Sequence, residues 1–238
     1  MSKYFGDEDA RMVKAVFFDL FETLVTEWKD GKRLATYSIH ELGLEEEIYR
    51  TEWHRRIPLR MDGTIPDFPT AIQDILQAHQ ITVQEDVLTK LLQERIHGKS
   101  LPFQNIQSDI LDMLYKLKEN GILLGLISNC ASEEIQAWDK TPLAELFDDV
   151  IFSYKVRCAK PSPAIYLLGC EHLGVKPSEC LFVGDGGSNE LQGATAVGME
   201  AYQATWFLPK EISNKTNEFP KLDHPKKLIE LVEAMINV

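Results

Sequence analysis

The sequence has no long apolar run. No stretch approaches the roughly 20 consecutive apolar residues that a membrane-spanning helix needs, so none reads as a transmembrane segment. A basic excess is also missing: 25 Lys and Arg stand against 37 Asp and Glu, a formal net charge of −12. Nucleic acids and anionic membranes both demand a cationic footprint, so neither is expected as a partner. A small anionic ligand stays open, because a few local cations and a metal can reverse the field inside one cleft. Cysteine is scarce. Cys130, Cys158, Cys170 and Cys180 show no CxxC spacing, and the six histidines form no cluster around them. Free thiols in a reducing compartment suit that pattern better than a zinc or redox site. The opening residues, Met1 to Lys14, are polar and mixed in charge. They lack the apolar centre of a signal peptide and read as a short tail. The expected location is the cytoplasm. Internal repeats and low-complexity segments are missing too.

What is present is a core-forming composition. Apolar residues make up 44% of 238, enough for one large domain or one domain with a small insertion. Residues 13–18 form an apolar, β-branched and aromatic run of strand length that delivers Asp19 at its end. An unpaired charge beside a core is costly, so Asp19 calls for a compensating cation. From about Arg33 to Gly98 helical periodicity takes over. Leu34, Tyr37, Ile39 and Leu42 suit one helix, stopped by Gly43. A second runs from Glu45 towards Arg60. A third starts near Pro66 and Pro69 and carries Ile72, Ile75 and Leu76. A fourth runs from Glu85 to Ile96, with Gly98 as its stop. The spacing predicts an all-helical insertion over 28–98, set into a core made of 1–27 and 99–238.

After residue 99 strands and helices alternate. Strands are expected at 122–127, 150–153, 180–183 and from 200. Helices are expected at 108–120, 132–138, 162–173, 190–197 and 228–236. This rhythm predicts an α/β fold: a doubly wound parallel sheet, Rossmann-like, with a small all-helical domain inserted. Ligands of such sheets bind beyond the carboxyl ends of the strands. Asp19, Ser128, Lys160 and Asp185 each follow a predicted strand, so one rim should collect all four.

Those residue types suit one kind of chemistry. A carboxylate such as Asp19 can attack phosphorus or carbon and form an ester that water then hydrolyses. Against an anionic substrate it needs cations. Lys160 supplies one, and the prolines of Lys160-Pro161-Ser162-Pro163 fix the turn that aims it. Asp19 and Asp185 together form the carboxylate pair that Mg²⁺ prefers, and Gly186 and Gly187 let the backbone come close. Ser128 and Asn129 can hydrogen-bond anionic oxygens. Singly, each has an ordinary explanation: a strand-end turn, a solvated lysine, a glycine-rich turn.

Together they resemble something specific. Phe18-Asp19-Leu20-Phe21-Glu22-Thr23-Leu24, Ile127-Ser128-Asn129, Lys160-Pro161-Ser162-Pro163-Ala164-Ile165-Tyr166 and Gly184-Asp185-Gly186-Gly187-Ser188-Asn189-Glu190 are similar, in order and spacing, to the four motifs of the haloacid dehalogenase superfamily. The helical insertion resembles the cap of one large branch. The resemblance implies a Mg²⁺-dependent phosphatase of a small phosphorylated metabolite, working through an aspartyl phosphate on Asp19. It implies catalytic roles for Asp19, Ser128, Asn129 and Lys160. It implies metal ligation by Asp19, Asp185 and the backbone carbonyl of Phe21, with Glu190 where the family has a second acid. Thr23 and, in the cap, Arg50 are the implied substrate contacts. Arg55, Arg56 and Arg60 are further cap cations, for each of which a solvated helix face is the ordinary reading.

Phe21 departs from the phosphatase pattern, which has a second aspartate there. That aspartate protonates the leaving oxygen and later activates water, help worth roughly 10²–10⁴-fold. Phenylalanine does neither, and Glu22, one position on, is expected to point elsewhere. Phe21, Arg50 and Tyr166 instead resemble the metal-free 2-haloacid dehalogenases, whose halide leaves without a proton. Asp185 weighs against that, as an uncompensated anion facing Asp19 without a metal. A third reading is a phosphate-binding protein that has lost turnover.

Overall fold

The computed structural model describes residues 13–213 and 218–236. The tail read over Met1 to Lys14 lies, up to residue 12, outside the described residues.

The chain begins with β1 (Ala15–Phe18) and a hairpin of β2 (Trp28–Lys29) and β3 (Lys32–Arg33). Three helices follow: α1 (Glu46–Met61), α2 (Phe68–Ala78) and α3 (Glu85–Gln104). The alternating part then runs α4 (Ser108–Glu119), β4 (Leu123–Ser128), α5 (Pro142–Leu146), β5 (Asp149–Phe152), α6 (Ser153–Val156) and α7 (Pro163–Leu173). It continues with β6 (Cys180–Gly184), α8 (Glu190–Ala196), β7 (Glu200–Ala204), α9 (Lys210–Ser213), β8 (Lys221–Leu222) and α10 (Pro225–Ile236).

Six strands form one parallel sheet in the order β5-β4-β1-β6-β7-β8. A parallel sheet covered on both faces has strands that read as continuous apolar runs. AVFF in β1 and CLFVG in β6 do so, and every residue of both is buried. One face buries Val16, Phe18, Leu124 and Leu126 with Leu114 of α4 and Val232 of α10. The other buries Ala15, Phe17 and Phe182 with Ile165 of α7 and Leu191 of α8. Each such side chain contributes about 1.5–3 kcal/mol by leaving water. A third cluster, Leu42, Phe68, Ile72, Ile75 and Leu91, holds α1–α3 together. Among the described residues no helix is long and apolar enough to cross a membrane.

Local chemistry overrode the sequence pattern in three places. The helix expected over Leu34–Leu42 is not formed; a short 3₁₀ turn, His40–Leu42, is all that coils there. The preceding residues pair as a hairpin, with Trp28 opposite Arg33 and Lys29 opposite Lys32. Asp30 and Gly31 link the strands with φ of 51° and 73°, the left-handed pair that a tight two-residue turn requires. Second, α3 does not stop at Gly98 but continues through it and Pro102. Gly98 is a packing glycine: a Cβ there would lie 2.6 Å from Tyr37 Oη. Pro102, in the last turn of the helix, removes the bond its N–H would make to the Gly98 carbonyl and crowds that carbonyl with its ring. Third, 132–138 is not a helix but begins and ends in separate 3₁₀ turns, Ser132–Glu134 and Trp138–Lys140.

Candidate active site

β1 lies at the centre of the sheet, between β4 and β6. Its end therefore places Asp19 beside Ser128 at the end of β4 and Asp185 just past β6. Asp19 N–H donates to Val183 O at 2.9 Å, which holds the residue in register with β6. Lys160 arrives from the turn before α7. Its Nζ donates to Asp19 Oδ1 at 2.5 Å and to Glu190 Oε2 at 2.5 Å, and its side chain is buried. Burial alone would lower the ammonium's pKa, but the Asp19 and Glu190 charges push it above the ordinary lysine value.

Asn129 spends its amide on the backbone of that lysine. Lys160 N–H donates to Asn129 Oδ1 at 2.8 Å, and Asn129 Nδ2 donates to the Lys160 carbonyl at 2.9 Å. Asn129 thus locks where Lys160 starts. Glu190 opens α8 and is buried, one oxygen on Lys160 and the other accepting from Gly186 N–H at 3.1 Å. It fits only because residue 184 is glycine: a Cβ there would lie 2.1 Å from Glu190 Oε1. Burial first, then the charge of Asp19, push the Glu190 carboxyl up, against the pull of Lys160.

Asp185 is aimed by its own turn. Gly187 N–H donates to its Oδ1 at 2.8 Å, and Gln203 Nε2 donates to its carbonyl at 2.9 Å. Gly186 between them has φ of 96°, a backbone that suits glycine. Burial and the Asp19 charge raise the Asp185 carboxyl. Oxygens of Asp19, Asp185 and Glu190 all lie within 4.8 Å of one another. Lys160 bonds Asp19 and Glu190, and among the described residues no cation pairs with Asp185, so a divalent cation with oxygen ligands would complete the cluster.

Two hydroxyls at this rim are unsatisfied. Thr23 Oγ1 and Ser128 Oγ are fully buried and make no hydrogen bond. A buried polar group left so costs about 1–3 kcal/mol, and an oxyanion seated beside Asp19 is what would satisfy both. Thr23 is itself anchored through its carbonyl, which accepts from Trp206 Nε1 at 2.8 Å.

Phe21 sits edge-on to Phe103 of α3, ring centroids 6.1 Å apart, with Lys99 Nζ 5.0 Å from its ring centre. Glu22 has a left-handed backbone (φ 58°) and turns its carboxylate to Thr26 Oγ1 (2.6 Å) and Glu27 N–H (2.8 Å). Burial raises its pKa. Tyr166 is buried against Phe182 and donates to the Glu190 carbonyl at 2.8 Å, so its hydroxyl braces α8. Arg50 is exposed on α1 and pairs with Glu46 one turn earlier. It lines neither of the two cavities described below. Arg55 is exposed as well, while Arg56 pairs with Glu52 and Asp74 within the helical unit.

The cations the sequence reading passed over are on α3. Arg95 bonds Glu133 and Glu134 at 2.7 and 2.8 Å, and Lys99 bonds Glu27 and Glu134 at 2.7 and 2.9 Å. Arg60 pairs with Glu133. These pairs tie the helical unit to the turn after β4. Spacing of four puts Arg95 and Lys99 on one helix face, which is the one sequence signal they carry. They border a cavity of about 430 Å³, walled also by Arg33, Arg60, Tyr49 and Trp53. A second cavity, about 550 Å³, opens beside Asp185 and Glu22 and is walled by Trp28, Trp206 and Phe207.

A parallel α/β core with a nucleophile-like carboxylate, a buried lysine and an acidic cluster at its strand ends defines a class of hydrolases. The sequence model of the haloacid dehalogenase-like hydrolases matches residues 13–198, and the chain belongs to that family. A glyceraldehyde 3-phosphate phosphatase of Methanothermobacter thermautotrophicus is 34% identical over 80% of this chain and 84% of its own. The human N-acylneuraminate-9-phosphatase is 26% identical over 79% of this chain and 81% of its own. Among solved structures, a 2-haloacid dehalogenase from Pseudomonas syringae pv. Tomato superposes with a TM-score of 0.64 at 19% identity, covering 94% of this chain and 99% of that one. At that identity the likeness shows the fold.

Proposed function

We propose that the protein is a Mg²⁺-dependent phosphatase of a small phosphorylated metabolite, with Asp19 as the nucleophile. The observation that carries this reading is the acidic cluster of Asp19, Asp185 and Glu190 around a single buried lysine. A haloalkanoate needs no such excess of carboxylates, whereas a phosphoryl group arriving with a divalent cation does. The relatives named as phosphatases support the same choice.

Asp19 and Asp185, with the Phe21 carbonyl, would hold Mg²⁺, which supplies charge neutralisation at the phosphoryl oxygens. Glu190 stands behind Lys160, both its oxygens engaged, and keeps the ammonium in place. An Asp19 carboxylate oxygen attacks phosphorus, and the bond from phosphorus to the ester oxygen breaks. Ser128 and Thr23 donate their free hydroxyls to phosphoryl oxygens, and Lys160 offsets the charge gathered on Asp19. The alkoxide takes its proton from solvent, since Phe21 has none to give. Water then splits the aspartyl phosphate to inorganic phosphate and restores the Asp19 carboxylate. Esters with acidic alcohols are therefore the better substrates. The helical unit, read as 28–98 against a core of 1–27 and 99–238, serves as the cap over this rim. All four cysteines are free thiols, which suits the cytoplasm.

The test is phosphate release from p-nitrophenyl phosphate and a metabolite panel, in Mg²⁺ and in EDTA, with Asp19→Asn as the blank. Release that requires both Mg²⁺ and Asp19 supports the proposal; none from any ester overturns it. Phe21 favours one other reading, displacement of halide from a 2-haloacid without metal. Chloride release from 2-chloropropionate that persists in EDTA would select it.

A further inference from the structure

Resting on the phosphatase reading, we propose that the cavity between the helical unit and the core is an anion subsite for the alcohol half of the substrate, centred on Arg60. The substrate is then a phosphomonoester of a hydroxy acid.

The two cavities described above differ in charge. The one next to Asp185 has Glu22, Asp30 and Asp185 in its wall against Lys29 alone, and repels an anion. The other has Arg33, Arg60, Arg95 and Lys99 against Glu27 and Glu134. With Glu133, which pairs with Arg60 and Arg95 from behind, four cations meet three carboxylates in a chain of net charge −12. A positive surplus at a part-buried site in such a chain is what an anionic ligand would complete.

Arg60 shows where the ligand sits. It is 1% exposed, yet its Nε–H has no hydrogen-bond partner. One guanidinium nitrogen, Nη2, is held by Glu133, and the guanidinium lies 4.3 Å from the centre of the Trp53 ring. It is therefore fixed in place with a donor unspent, the arrangement that receives a planar oxyanion. A carboxylate seated in the cavity would give Arg60 Nε–H the acceptor it lacks. A single negative charge matches the single surplus cation, so a carboxylate suits the site better than a second phosphate.

Lys99 links this cavity to the reacting centre. It lines the cavity and packs on Phe21, two residues beyond Asp19. A cavity of about 430 Å³ falls in the range of small-molecule sites.

Two esters with one carbon skeleton test the proposal: D-3-phosphoglycerate, which ends in a carboxylate, and sn-glycerol 3-phosphate, which ends in an alcohol. The wild type should favour the first by about tenfold or more in kcat/KM, the worth of one charge-assisted hydrogen bond. Arg60→Lys keeps a cation opposite Glu133 and removes Nε–H. It should bring the ratio within about threefold, and because the ratio compares two esters on one protein, partial loss of folded enzyme does not alter it. A wild-type ratio near one, with both esters turned over, overturns the subsite and leaves the phosphatase reading standing; the cavity then holds water. If neither ester is turned over, both are titrated into the wild type and Arg60→Lys by calorimetry. Tighter binding of the carboxylate ester that Arg60→Lys abolishes supports the subsite without the phosphatase reading. Equal binding, or none, overturns it.

Discussion

The Lys99 ammonium lies 5.0 Å from the centre of the Phe21 ring. At the position where phosphatases of this family resemble one another in carrying a second aspartate, this chain presents an aromatic face with a part-buried cation over it. Burial opposes that charge, but Glu134 and Glu27 outweigh it and raise the Lys99 pKa. The ammonium stays charged, so it attracts anions towards this side of the rim and does not trade protons at neutral pH.

Phe21→Asp should therefore add what is missing. The gain is expected for alkyl phosphates, whose leaving oxygen needs a proton, at about tenfold or more out of the 10²–10⁴-fold that acid–base help can give. Aryl phosphates should change little. A plot of log kcat against leaving-group pKa should flatten in the variant. An unchanged slope would show that the proton does not limit turnover.

Gly184→Ala tests the seat of Glu190. Its methyl would lie 2.1 Å from Glu190 Oε1, so either the carboxylate or the strand must move. Overpacking of this kind costs about 1–3 kcal/mol. The expected result is a lower Tm together with a fall in kcat, because Lys160 loses one of its two anchors.

Metal should stabilise the folded chain. At about a hundred times its dissociation constant, a ligand that binds only the native state adds about 2.7 kcal/mol. Differential scanning calorimetry should show Tm rising with Mg²⁺ and falling back with EDTA. Asp185→Asn should erase the shift. A wild type whose Tm ignores Mg²⁺ would count against the acidic cluster as a metal site.

Acid should loosen the helical unit from the core. Burial alone would raise the Glu134 carboxyl, but Lys99 and Arg95 overcome it and hold the pKa down at about 2, from an ordinary 4.5. A depressed carboxylate contributes stability that is whole above its unfolded value and is lost as pH falls towards the folded one. The window is pH 4.5 down to about 2, and the amount is about 3 kcal/mol at most. In urea melts across that window the wild type should lose more stability than Glu134→Gln, which has no proton to take up. Equal losses would contradict the pairing.

Much of this was legible in the chain itself. Apolar runs alternating with helical ones dictate a parallel sheet, and a parallel sheet sends Asp19, Ser128 and Asp185 to the same edge because every strand points the same way. The Asp30-Gly31 turn was written there too, but strands of two exposed residues carry no apolar alternation to announce a hairpin. Gly98 looked like a helix stop, because the sequence does not say that Tyr37 packs against it.

What only the tertiary structure decided is which side chain meets which. Arg60 and Arg95 find Glu133 across 73 and 38 residues. Asn129 gives its amide to the Lys160 backbone, and Arg50 stays on the outer surface while Arg60, three turns on, is buried. Chain order and hydrophobic periodicity are local properties and specify elements and their direction. Ion pairs and cavities depend on how whole elements pack, and packing is settled by shape and burial summed over the chain. The sequence alone determined that a carboxylate and a lysine would share a rim; the fold decided that Asp19 and Glu190 both hold that lysine and that Arg60 is buried with a donor unspent.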